Sequence, residues 1–330
     1  MTRERSRRRL RRRDRNALIA ASLTAMSVTA SGCVVVHGER VVLPAATRAE
    51  AARALTAFTD AYNKADKAYD SSLDAPYVTG AVADIDSARL KAGHTNSPTG
   101  NVRHAPLALT DVTYTIPKKA GWPRWFVADA RSNKGGDVRW VLVFTRHGQG
   151  ERWQVAYLTL MAPGAVPKFR TDKDGWAEAV PADSTELAVR PDALSTSYTS
   201  YLKNGGKAFA DGRDTSVLRA DRKKAAEKPG LVRQFIDEPL THGDYAPLAL
   251  RTADGGALVF FTTHHFEKQT AYPGATVPIP NKDVRALVKG DVKQSLTLES
   301  MADEAALDPP ARGPVRILGR VQGLTAGQGS

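Results

Sequence analysis

The sequence is almost without cysteine: 330 residues hold one, Cys33. Disulfides need pairs, so no disulfide framework exists and each folded part must stand on its own hydrophobic core. Named catalytic signatures are missing as well. There is no Gly-x-Ser-x-Gly elbow, Walker loop, His-Glu-x-x-His helix or Cys-x-x-Cys pair. The turn Gly148-Gln-Gly-Glu-Arg-Trp153 opens no helix, so it is no dinucleotide fingerprint. No cofactor and no metal site is expected. Basic excess is scarce too, once the first 32 residues are set aside. They carry nine of the 47 basic and two of the 35 acidic residues, so the formal charge falls from +12 to +5 over residues 33–330. A nucleic-acid partner loses its main support.

Those first residues form a pattern of their own. Residues 1–16 carry nine Arg and two acids, residues 17–30 carry no charge, and Ser31, Gly32 and Cys33 come next. A basic region, an apolar run and a small-residue exit are the parts of a secretory signal. The Arg cluster is held on the cytoplasmic side, so the remainder of the chain is exported.

Ala30-Ser31-Gly32-Cys33 resembles the lipobox of bacterial lipoproteins, with Ala30 where that pattern usually has Leu. The resemblance implies cleavage between Gly32 and Cys33, lipid on the Cys33 thiol, and a chain tethered to the outer face of the cytoplasmic membrane. It would also remove Cys33 as a nucleophile. Other readings stay open: an uncleaved span over the uncharged residues 16–36, ordinary cleavage near Ala30 with free secretion, or an incidental cysteine. The export route is open between the general pathway and a twin-arginine one.

Beyond a tether at 33–46, Thr47-Arg-Ala-Glu50 reads as a capping box. Leu55, Phe58, Tyr62, Tyr69 and Leu73 then recur at helical spacing, predicting about seven turns. A second helix is expected through Val78, Val82, Ile85 and Arg89. Runs at 107–116, 124–132, 138–147 and 152–161 read as strands joined by short turns, hence an antiparallel meander. Helices start again near Asp192 and Asp214, followed by strands at 247–252, 256–267, 291–301 and 314–321. The class is α+β. "ARSNKGGDVRWVLVFTRH" at 130–147 echoes "LRTADGGALVFFTTHH" at 250–265. Two tandem units are therefore expected, at 47–162 and 190–321, with a linker at 163–189 and a flexible tail at 322–330.

The signal with its Cys, the helix "ARALTAFTDAYNKADKAYDSSL", the segment "YVTGAVADIDSAR" and the closing "VRILGRVQGL" resemble uncharacterised actinobacterial lipoproteins that carry a domain of unknown function. The helix–helix–meander order is similar to the cystatin-like cone of the nuclear-transport-factor type. That likeness implies a sheet curled around a long helix with an internal pocket, a fold that hosts enzymes, binders and interaction modules alike.

Candidate chemistry is sparse. His264 and His265 are adjacent on a strand and point to opposite faces, so they do not readily share a metal, even with His242 or Asp244 nearby. Asp129 and Arg131 share a face, as do Tyr157 and Thr159. The most distinctive pattern is Arg-Trp at three strand starts: Arg124-Trp125, Arg139-Trp140 and Arg152-Trp153. Trp in the core with Arg toward solvent explains it. A sharper reading makes Arg124, Arg139 and Arg152 a contact for anionic lipid headgroups or cell-wall polymers. Together these features predict a membrane-anchored, non-catalytic binding or interaction module outside the cell, whose partner is a polymer or a protein. The alternative is an enzyme or small-ligand binder using the pocket of one cone.

Overall fold

A computed structural model describes residues 41–226 and 229–330. The expected signal, Gly32 and Cys33 lie outside these residues. Strand β1 (Leu43–Pro44) leads to helix α1 (Arg48–Ala68). Its capping box is present: the Glu50 amide donates to the Thr47 hydroxyl at 3.1 Å, and the Thr47 amide donates to Glu50 at 2.8 Å. Ala51, Leu55, Phe58 and Ala65 form its buried stripe. The helix stops one turn earlier than its spacing predicts. Tyr69 turns left-handed (φ 52°), and the Asp70 carboxylate accepts the Ser72 amide at 2.9 Å, a local turn that competes with continued helix. Helix α2 (Gly80–Asn96) comes next, as expected.

Strands β2 (Leu109–Thr115), β3 (Pro117–Lys119), β4 (Arg124–Ser132), β5 (Arg139–Arg146) and β6 (Gln154–Met161) succeed it. β2, β4, β5 and β6 pair antiparallel in sequence order, the predicted meander. Beyond them lie β7 (Ala177–Val180), helices α3 (Leu194–Asn204) and α4 (Leu218–Ala226), and strands β8 (Leu231–Leu240), β9 (Leu248–Arg251) and β10 (Ala257–Ala271). Helix α5 (Lys282–Leu287) and strands β11 (Val288–Lys289), β12 (Ser295–Asp308) and β13 (Arg316–Gly329) complete the chain. The two echoing segments occupy matching hairpins, β4–β5 and β9–β10.

Five helices thus accompany one mixed sheet of 13 strands among the described residues. Its main path runs β1-β3-β7-β9-β10-β12-β13-β6-β5-β4-β2. The tandem units expected from the sequence are not separate bodies; Val42–Ser330 is one compact unit. Residues 163–189 contribute β7, which pairs with β3 on one side and β9 on the other. Residues 322–329 continue β13 instead of trailing as a tail. β13 meets β6 at Gly319, opposite Met161. A Cβ there would sit 2.6 Å from the Leu160 carbonyl oxygen, so the approach requires glycine.

The packing explains why one body forms. One face of β4–β6 packs Phe126, Leu142 and Phe144 against Leu55 and Phe58 of α1. The other face turns Trp125, Val127, Val141, Val143 and Tyr157 toward Leu250, Leu258, Phe260 and Ala305 of β9, β10 and β12. Those strands bury Val259, Phe261 and Ala306 under Leu194, Tyr198 and Leu202 of α3. The order of layers is helix, strands, strands, helix. The central core takes side chains from both halves, so neither half is closed without the other.

Candidate ligand cavity

Between α1, α2 and the sheet lies a cavity of about 150 Å³. Phe58 and Tyr62 come from α1, Val82 and Ile85 from α2, Trp140 and Leu158 from β5 and β6, and Val321 from β13. An apolar space of this size takes a guest as large as benzene.

One carboxyl lines it from β12. Asp303 is fully buried, and burial pushes its carboxyl well above the usual carboxylate range. The Thr262 hydroxyl stands 2.8 Å from one of its oxygens, and the Leu158 amide donates to the other at 3.1 Å. The group is tied to β6 and β10, and its burial favours the uncharged form.

The charged rim is paired. Arg89 donates from Nε and Nη2 to Asp86 at 2.9 and 2.7 Å, and from Nη1 to Asp66 at 2.5 Å. The His104 ring lies 2.7 Å from the other Asp66 oxygen. Burial works against the Asp66 charge, but the bonds from His104 and Arg89 outweigh it and hold that carboxyl below its ordinary value. The Arg89 guanidinium and the Lys134 ammonium flank the Tyr62 ring at 5.3 and 5.4 Å. Behind Asp86, Asp74 is pushed up to about 8 by burial and by the neighbouring Asp86 carboxylate.

Against this geometry, a comparison with known families decides the lineage. Residues 42–329 match the model described as "Domain of unknown function (DUF8094)". The chain belongs to this family. It is 67% identical to an uncharacterized lipoprotein of Streptomyces coelicolor, with both chains covered in full. A Streptomyces avermitilis lipoprotein is 59% identical, again over the whole of both chains. A second S. coelicolor lipoprotein is 27% identical over 289 residues, covering 84% of this chain and 80% of its own. No solved structure matches the chain. The DUF8094 chain is thus one of a family of Streptomyces lipoproteins, which makes it a lipid-anchored membrane protein. Among its described residues no helix is long and apolar enough to cross a membrane.

The three Arg-Trp pairs of this DUF8094 domain do not form one face. Trp125 lies in the central core, whereas Trp140 and Trp153 pack on the α1 side. Arg139 is bound to Asp129 at 2.7 Å and to Asp111 at 2.6 Å. Asp129 therefore pairs across the strands with Arg139, not along its own strand with Arg131. Arg124 and Arg152 do come to one end of the sheet, and there they meet Arg146 and Trp122, which sequence spacing did not single out. Arg124 and Arg146 lie 5.0 and 5.4 Å from the Trp122 ring centre, and Arg146 lies 4.5 Å from that of Trp153.

The histidines separate as alternation requires. His264 lies against Phe266 with ring centres 4.2 Å apart and planes tilted by 46°, while His265 is buried against Asp237 at 2.5 Å. Burial works against the Asp237 charge, but the bonds from His265 and Arg222 win and hold it below its ordinary value. Thr263, His265 and Asp237 stand in the order hydroxyl, imidazole, carboxylate, with 2.8 Å between Thr263 and His265. That order suits a nucleophile, but Thr263 is fully buried and its hydroxyl is 2.7 Å from Glu304, so the network is structural. Tyr157 donates to the Ala246 carbonyl at 2.7 Å, and Thr159 is fully buried. Asp303 escaped sequence reading because "MADEAALD" (301–308) is rich in Ala and acids, a composition that favours helix over the strand it forms. Its signal was a pair of acids inside a run with no turn residue.

Proposed function

We propose that the protein is an extracytoplasmic binding module, lipidated on Cys33 at the outer face of the cytoplasmic membrane, whose cavity takes a small apolar or aromatic group. The apolar lining of the cavity carries this reading. The charged groups at its edge are bound to one another through Arg89, and its fully buried carboxyl is tied to Thr262 and Leu158, with burial favouring the uncharged form. The cavity under the long helix also supports the cone likeness for the first half of the chain. Lipidation rests on the lone cysteine after a basic–apolar leader, and on relatives named as lipoproteins.

Two experiments test the parts separately. Cys33→Ser should move the protein from the membrane fraction to the culture fluid, and the wild-type intact mass should begin at a lipidated Cys33. For the cavity, benzene and indole are titrated into the protein while methyl resonances of Val82, Ile85 and Leu158 are followed. Saturable shifts are expected, and they should disappear in Val82→Phe, where an added ring occupies the space. Shifts that persist unchanged in that variant overturn the cavity reading.

An enzyme reading rests on one observation, the raised Asp74 carboxyl beside Asp86. It predicts deuterium uptake at the carbon of bound nitroethane, lost in Asp86→Asn. Absence of such exchange removes it.

A further inference from the structure

Arg53, Arg146, Arg152 and Trp153 line an open cleft of about 320 Å³ between the start of α1 and the β5–β6 turn. Two acids share it. Glu50 is occupied by the Thr47 amide and hydroxyl, at 2.8 and 2.9 Å, with Arg146 a further 3.9 Å away; Glu151 belongs to the turn. Cations therefore exceed acids in the cleft, and Arg124 stands beside it against Trp122. The Nε–H groups of Arg124 and Arg146 and the indole N–H of Trp153 are buried beneath the patch and have no acceptor among the described residues, which leaves the outer guanidinium nitrogens as the groups that can reach a ligand. Arg152 spends one bond on the Tyr77 hydroxyl at 3.0 Å.

The same end is where the described fold begins. Leu43 pairs with Lys119, three residues before Trp122. Val42, Leu43 and Trp122 are 58, 47 and 39% exposed, an unusual level for residues of this kind. Exposed aliphatics, one exposed tryptophan and a ring of arginines are the composition of a surface that sits at a lipid–water boundary. Leu43 at this end is ten residues after Cys33, so a short segment separates the anchor from the edge that carries the basic aromatic patch.

We infer that this end of the domain lies on the membrane, with Trp122 at the headgroup level and Arg53, Arg124, Arg146 and Arg152 bound to the phosphates of anionic lipids. The inference rests on the lipid anchor proposed above. Anchoring alone leaves the domain free to rotate on its tether; the patch fixes which face looks away from the membrane. The cavity mouth, with Tyr62 and Arg89, is then set by the orientation of the whole domain.

The test uses the full lipidated protein, purified from membranes and reconstituted into vesicles of phosphatidylcholine alone or with phosphatidylglycerol, each doped with brominated lipid. Quenching of tryptophan emission is the readout, and Trp122→Phe subtracts the four other tryptophans. Quenching assigned to Trp122 should be at least about twofold greater in the anionic vesicles and fall with salt. The exposed pair Arg53→Glu/Arg152→Glu should abolish the difference with unchanged circular dichroism. Equal quenching in both vesicle types overturns the inference. So does protection from quenching by soluble anionic polymer without any lipid dependence, which would assign the patch to the cell wall. Failure of the anchor reading looks different, because the protein would then not enter the vesicles at all.

Discussion

Asp303→Asn changes the fully buried carboxyl of the cavity and leaves the ionisable groups at its edge, Asp86, Arg89 and Tyr62, as they are. Asp303 accepts the Thr262 hydroxyl at one oxygen and the Leu158 amide at the other; an asparagine in the same place keeps the Leu158 bond through its amide oxygen and donates its NH2 to a turned Thr262 hydroxyl. The substitution is therefore close to isosteric, and its effect on stability reports the titration of Asp303. Burial raises the folded value, so the folded state keeps a proton that the unfolded chain releases above its ordinary pKa. Stability of the wild type is thus lost with rising pH, by about 1.4 kcal/mol for each pH unit, up to the folded value. The variant has no such loss. The variant should therefore gain steadily on the wild type as pH rises above the unfolded value. Urea unfolding followed by tryptophan fluorescence, at a series of pH values for both proteins, measures this difference. Parallel curves with a constant offset would mean that Asp303 ionises in the ordinary range and that the cavity interior is charged, which would refute the apolar-guest reading as well.

Other perturbations should act through named contacts. Thr47→Ala removes the hydroxyl half of the capping box, keeping the bond from the residue-47 amide to Glu50, and should cost about 1 kcal/mol by denaturant midpoint; no change would mean that α1 is fixed by packing alone. Gly319→Val forces a side chain onto the Leu160 carbonyl and Met161, and should lower stability by about 1–3 kcal/mol; a neutral result would deny that β13 and β6 approach closely. Asp237→Ala strips a buried partner from His265 and Arg222 and should cost roughly 3–5 kcal/mol. The wild-type contribution of Asp237 is present above its unfolded value and lost as pH falls through its depressed folded one, so the variant's deficit should shrink in acid.

The local elements were legible where one periodicity ruled. The capping box and the 3.6-residue stripe of α1 place that helix, and short Gly-rich turns between apolar runs place the β4–β6 meander. The arrangement of the halves was not, although a clue lay in β5. "WVLVF" (140–144) is apolar at every position, whereas a sheet wet on one face alternates. Unbroken apolarity means both faces are covered, and α1 and α2 cover only one. The second cover is β9, β10 and β12, more than 100 residues away. β8 was missed because its burial alternates between half-buried and exposed along its length, leaving a polar sequence held mainly by backbone pairing to β10. The cavity draws its walls from both helices and four strands, contacts that have no spacing along the chain. The Arg-Trp repeats were visible, but their meaning was not, since Trp125 and Trp140 sit on opposite faces of the sheet.

β13 lies inside the sheet, between β12 and β6, yet it is made of residues 316–329. A chain growing on the ribosome therefore lacks the link between β12 and β6 until that segment arrives, and its halves are joined in the sheet only through β3, β7 and β9. Folding cannot proceed half by half during synthesis, and a shortened product lacking those residues should aggregate and not survive as a smaller domain.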